Sequence, residues 1–138
     1  MGSGIACHLA NVGMEVLMLD ILPRNKKQVK FSRNSVASTA LQNALKSKPA
    51  PLYSKNFASR IKIGNFEDDF EKVADADWII EVVIERLDIK KEILKKVDQY
   101  RKENSLVSSN TSSIPIKILS EGRSKSFKKH FCGTHFFN

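Results

Sequence analysis

Two residues of this 138-residue chain have the types and places needed for proton transfer, His135 and Ser112. An imidazole titrates near neutrality, so His135 can take a proton from a hydroxyl at ordinary pH. A serine hydroxyl both donates and accepts, which lets Ser112 hold that same oxygen in place. Taken singly, Ser112 reads equally well as a helix N-cap, and His135 as an ordinary strand-end histidine. Glu85 and Lys90, five positions apart, read on their own as an ordinary exposed pair on the first turn of a helix. His8 and His130 stand in no motif and read as surface or helix residues. Cys7 and Cys132 lie 125 positions apart without zinc-type spacing, so both read as free thiols of a reducing compartment, with no metal site.

These side chains need a frame to hold them. Residues 4–13 predict a helix with Ile5, Leu9 and Val12 on one face, closed by Gly13. Residues 15–19, ending in Asp20, predict a strand buried on both faces, as in parallel sheets. A helix follows within residues 32–48, stopped by Pro49 and Pro51, then a short strand at 61–63 and a helical turn at 66–73. Residues 78–83 predict a second buried strand, in which Trp78 is core. Leu87, Ile89, Ile93, Leu94 and Val97 repeat at helical spacing and predict an amphipathic helix over 87–102. A strand at 106–109, a helix at 114–119 with Ser112 or Ser113 as N-cap, and a last strand at 131–137 complete the pattern. Strands alternating with helices predict an α/β fold with a mostly parallel sheet, in which ligands bind beyond the carboxyl ends of the strands. Residues 23–30 read as a loop within one domain.

The first helix and strand carry a further pattern. Met1-Gly2-Ser3-Gly4 looks like the tail of a GxGxxG phosphate loop with Gly2 as its third glycine. Asp20 closes its strand 18 positions after Gly2, near the ~20-residue spacing at which an acid accepts hydrogen bonds from ribose hydroxyls. An acid there also repels a 2′-phosphate, which favours NAD over NADP. The alternative is a strand-end Asp that starts a turn before Pro23.

Composition narrows the class. With 41% hydrophobic and 28% charged residues the chain has the mix of a soluble globular domain. Its longest apolar runs, such as 16–19 and 78–80, fall far short of the ~20 residues that cross a bilayer, and no signal peptide is visible. The expected compartment is the cytoplasm. The net charge of +8 suits an anionic partner, but basic residues mix with acids and seldom alternate with aromatics, which argues against nucleic acid.

Longer motifs are more specific. Ser108-Ser109-Asn110-Thr111-Ser112-Ser113 and Gly133-Thr134-His135-Phe136-Phe137-Asn138 resemble the SNTSS and G-x-HFFN signatures of the 3-hydroxyacyl-CoA dehydrogenase family. Residues 80–91, which include Glu85 and Lys90, are similar to that family's acidic strand-to-helix stretch. The likeness is greatest to the long bacterial forms that also carry an enoyl-CoA hydratase part. It implies a Rossmann-type, doubly wound sheet lacking its first strand in this chain. Residues 1–138 would be an NAD-binding domain truncated at both ends, with the helical substrate and dimerisation domain absent.

By the same resemblance, Met1 and Gly2 match the phosphate-loop end and Asp20 the ribose acid. Val83, Ile84, Glu85 and Lys90 match cofactor contacts. Ser112 matches the serine near nicotinamide and substrate, His135 the catalytic base, and Asn138 a cofactor-contacting asparagine. The implied activity is NAD-dependent oxidation of (3S)-3-hydroxyacyl-CoA to 3-oxoacyl-CoA in fatty-acid β-oxidation, by a parent that is a homo-oligomer. The implied partner is an acyl-CoA substrate; the charge pattern and the short apolar runs add the expectation of no nucleic acid and no membrane span. With two glycines and a strand missing, residues 1–138 alone are expected to bind NAD weakly. The alternatives are a 3-hydroxybutyryl-CoA dehydrogenase and a non-catalytic nucleotide-binding Rossmann module.

In the longer parent, Asp20→Ala should weaken NAD by about tenfold, the worth of a hydrogen bond to a charged group, and narrow the preference over NADP. Steady-state kinetics with both cofactors reads this directly. An unchanged ratio would show that Asp20 is not the ribose acid.

Overall fold

The computed structural model describes residues 1–24 and 32–137. They fall into two compact units, Met1–Phe70 and Glu71–Asn138. Every sheet is parallel, as the alternation of strands and helices predicts. No helix among the described residues is long and apolar enough to cross a membrane.

The first unit opens with helix α1 (Gly2–Asn11), which Gly13 closes at φ +94°, a conformation that a side chain disfavours. Its small residues Ala6, Cys7 and Ala10 form a core with Leu52 and Ile61, and Val16, Met18 and Leu41 pack against it. Arg60 donates to the Ala10 carbonyl at 2.6 Å while lying over the Phe57 ring, so a cation closes the carbonyl end of α1. Strand β1 (Val16–Asp20) pairs with β2 (Ile61–Asn65), placing Asp20 beside Asn65. The expected burial of β1 on both faces is not met. Leu17 is exposed and the rest half-buried, because among the described residues β1 has β2 alone as a neighbour.

Helix α2 (Ser35–Lys46) is shorter than its sequence pattern. Asn65, fully buried, ties its start to the end of β2. The amide donates to Asn34 at 2.6 Å and Asp68 at 2.9 Å, while its oxygen accepts from the Glu67 and Asp68 backbone. Arg33 grips Asp68 with two hydrogen bonds of 2.6 and 2.7 Å. The Arg33 guanidinium, then the Asn65 amide, hold the Asp68 carboxyl down at about 2.

In the second unit, strands β3 (Trp78–Glu81), β4 (Leu106–Ser109) and β5 (Phe131–Gly133) lie in that spatial order. Helix α3 (Leu87–Tyr100) buries Leu94 and Val97, as its apolar stripe predicts, and also Lys90, which the stripe does not predict. Two short helices follow, α4 (Ile116–Ser120) and α5 (Lys125–Lys129), and only the first has a sequence signal. Two expectations are corrected. The last strand ends at Gly133, not residue 137, because beyond Thr134 the Phe136 amide turns to the Asn110 side chain; and the N-cap of α4 is Pro115, neither Ser112 nor Ser113.

Gly64 in β2 allows the closest approach in the first unit. A Cβ there would lie 2.6 Å from the Asp69 carboxylate, which accepts from the Asn65 amide, and 2.8 Å from Leu19. Gly64→Ala should therefore destabilise by about 1 to 3 kcal/mol through overpacking, read as a lowered denaturant midpoint at unchanged slope.

Candidate active site

Parallel pairing brings the carboxyl ends of β3, β4 and β5 to one edge of the sheet: Glu81 pairs with Ser109, and Ser109 with Gly133. Each strand then releases a loop at that edge. After β5 the Thr134 amide still reaches the Ser109 carbonyl at 3.1 Å, but the Phe136 amide bonds the Asn110 side chain at 2.7 Å. That exchange of a ladder partner for a side chain ends the strand and leaves His135 exposed between the two anchors. Ser112, on the loop after β4, stands with its Oγ 2.9 Å from His135 Nε2. The two residues 23 positions apart in sequence thus form one hydrogen-bonded pair.

The pair faces a cleft of about 280 Å³ whose walls include Thr111, Ile116 and Gly133. A Cβ on Gly133 would come within 3.2 Å of two Ile116 side-chain atoms, so glycine lets α4 lie close to the end of β5. The ring of Phe137 packs edge-on to His135 at 4.8 Å between centroids.

Glu85 organises the Ser112 loop from the opposite side. Its Oε1 accepts from the Thr111 hydroxyl, from the Ser112 amide at 3.0 Å, and from the Ser113 amide and hydroxyl at 3.1 Å each. The Thr111 hydroxyl is the largest influence that lowers the Glu85 carboxyl from its ordinary 4.5 to about 2; partial desolvation opposes it, and Ser113 and Lys90 add to it. Ser112 and Ser113, expected as helix caps, instead serve this carboxylate with their backbone.

Lys90 lies beneath Glu85 with 1% of its side chain exposed. Its ammonium meets Glu81 at 2.8 Å, Glu85 at 3.2 Å and the Val83 carbonyl at 3.1 Å. Two carboxylates and a carbonyl surround its three donors, so Lys90 supports the loop that carries Val83 and Ile84 from within. Ile84 is 64% exposed at the crest of that loop. Glu81, absent from the sequence-derived site, is the hub beneath it. The signal available was a glutamate ending an apolar strand nine positions before a lysine.

Of the other expected site residues, Met1 and Gly2 begin α1, whose first turn has no acid and no side-chain cap. Asp20 ends β1, with its Oδ1 accepting from the Ile21 amide at 2.7 Å. These three belong to the first unit, and the Glu85, Lys90, Ser112 and His135 cluster to the second. Asn138 lies outside the described residues.

The family model described as 3-hydroxyacyl-CoA dehydrogenase, NAD binding domain, matches residues 1–138. A Bacillus subtilis protein named as a 3-hydroxyacyl-CoA dehydrogenase is 52% identical over the whole chain, which covers 19% of it. A Rickettsia felis protein named as a fatty acid oxidation complex trifunctional enzyme is 41% identical, again over the whole chain and 19% of its own length. Among solved structures, the (S)-3-hydroxybutyryl-CoA dehydrogenase of Ralstonia eutropha is similar over the whole chain and 46% of its own, with a TM-score of 0.70 and 31% identity. The chain therefore spans less than half the length of each.

Because the carboxyl of Glu85 is depressed in the folded chain, its contribution to the Thr111 to Ser113 turn is full above its ordinary value. It fades as pH falls below about 4.5 and is gone once pH drops through about 2. The Ser112 and Ser113 amide resonances should accordingly shift with a midpoint near 2 in an NMR titration, and Glu85→Gln should abolish that shift. A midpoint near 4.5 would mean that the carboxylate does not bind the turn.

Proposed function

The chain belongs to the 3-hydroxyacyl-CoA dehydrogenase family as its NAD binding domain, and on that premise we propose that it serves the oxidation of (3S)-3-hydroxyacyl-CoA to 3-oxoacyl-CoA, with His135 as general base. The observation that carries this reading is the 2.9 Å contact between Ser112 Oγ and His135 Nε2 at the mouth of the cleft. A substrate hydroxyl beside that pair would give its proton to Nε2 and be steered by the serine hydroxyl.

The residues present fit NAD. An uncapped helix N-terminus with no acid in its first turn suits a pyrophosphate at Met1 and Gly2, and Asp20 at the end of β1 suits ribose hydroxyls. In the second unit, the exposed Ile84, with Val83 and Glu85, would border the nicotinamide half, and Ser112 would lie between it and the substrate. Asn138 is assigned to the cofactor by family likeness. When bound, NAD supplies the acceptor for the hydride. The chain's own part is to hold the hydroxyl, take its proton at His135, and keep Ser112 in register through Glu85.

The acyl-CoA substrate and the setting in fatty-acid β-oxidation are proposed in line with the name of the Rickettsia relative. In this reading the chain is the cofactor part of a longer, homo-oligomeric protein whose helical domain completes the acyl-CoA site. Cys7 and Cys132 are both free thiols, in keeping with a cytoplasmic setting.

In that longer protein, His135→Ala should lower kcat by about 10² to 10⁴ while leaving NAD binding nearly intact. Ser112→Ala should cost less in kcat but also raise the substrate KM. A His135→Ala enzyme that oxidises 3-hydroxyacyl-CoA at a near-normal kcat would overturn the assignment.

A further inference from the structure

Glu81 has no place on the surface of the cleft, yet all the contacts behind Ser112 lead back to it. It is 4% exposed and ends β3. Its Oε1 accepts from the Val83 amide at 2.7 Å and from the Lys90 ammonium at 2.8 Å. Its Oε2 accepts from Lys90 at 3.1 Å and from the hydroxyl of Ser109, itself fully buried at the end of β4. One carboxylate thereby fixes the first turn of the loop after β3, the ammonium beneath that loop and the end of the neighbouring strand.

Lys90 passes this placement on. Its ion pair with Glu85 sets the carboxylate that accepts from the backbone of Ser112 and Ser113. Ser112 in turn meets His135. We infer that Glu81 is a positioning residue for the dehydrogenase reaction, acting on the Ser112 and His135 pair through Lys90 and Glu85. The inference rests on the proposed role of that pair.

The electrostatics give it a specific signature. Two carboxylates share one buried ammonium, which divides its attraction between them. Glu81→Gln keeps the shape and removes one of the two charges. Among the described residues Lys90 then keeps Glu85 as its only anionic partner and draws it from the Thr111 to Ser113 turn, releasing the Ser112 backbone. A small displacement of this kind costs up to about 10² in rate. Removing the cation as well, in Glu81→Gln with Lys90→Met, leaves Glu85 free to keep its bonds to the turn.

The test uses the full-length protein, with folded fraction fixed by circular dichroism and rates scaled to it. Glu81→Gln should lower kcat about 10- to 100-fold with the acyl-CoA KM within threefold, and the double variant should recover at least fivefold of that loss. Glu81→Asp, which keeps the charge but shortens the reach, should lose at least tenfold in kcat and decides the matter if Glu81→Gln does not fold. A folded Glu81→Gln with kcat within twofold of the parent, or a double variant no faster than the single, overturns the inference, as does Glu81→Asp within twofold. His135→Ala runs alongside: if it keeps its kcat, the reading of the pair fails and the inference with it. If it loses 10² or more while Glu81→Gln is unaffected, the inference alone fails.

Discussion

The burial of Lys90 is the constraint around which the second unit is arranged. Taking an ammonium out of water costs several kcal/mol even after relaxation, and attraction to a partner offsets this only when every donor is satisfied. Here the partners come from three places along the chain: Glu81 at the end of β3, Val83 in the loop after it and Glu85 just before α3. None of them can shift without leaving a buried charge short of an acceptor. A pair of this kind adds little net stability compared with a hydrophobic replacement, but it tolerates few arrangements of the loop, and that restriction is what a reaction site needs.

The first unit is held differently. Its helix and strands meet through small and aliphatic side chains, and its polar order is concentrated at one carboxyl end, where Asn65 satisfies the turn that follows β2. A neutral amide does there what a charged trio does in the second unit. It gives one donor to the Asp68 carboxylate and its oxygen to the Glu67 and Asp68 backbone, and its other donor reaches Asn34 before α2, so the end of β2 beside Asp20 is fixed by the turn that follows it and by the start of α2.

Much of this was legible in the residues. The spacing of Leu94 and Val97, the glycine at 13, the apolar run at 16–19 and the short strand pattern at 106–109 announce their elements through local periodicity and turn chemistry, and the structure has them within one or two residues. His135 and Ser112 were legible as a pair through their place after strands. What sequence could not convey is which residue a polar side chain chooses. Lys90 shares the buried face of α3 with Leu94 and Val97 but its type suggests solvent, and its burial depends on Glu81, Val83 and Glu85, acceptors outside the helix. The length of β5 depends on Asn110 taking the Phe136 amide, a contact across 26 residues with no periodic trace. Ser112 and Ser113 carry the residue types of a cap, yet a carboxylate from another loop claims their amides first.

The close passage of Gly133 by Ile116 ties the two halves of the cleft into one shared volume. Neither position is free to drift alone: bulk gained on the strand must be surrendered on the helix, or the backbone that presents His135 two residues later is pushed outward. Across descendants of this sequence the two sites should therefore change together, a small residue on one side accompanying a branched one on the other. The imprint of the cleft would then be kept by an apolar pair in its wall, apart from the hydrogen-bonded residues at its mouth.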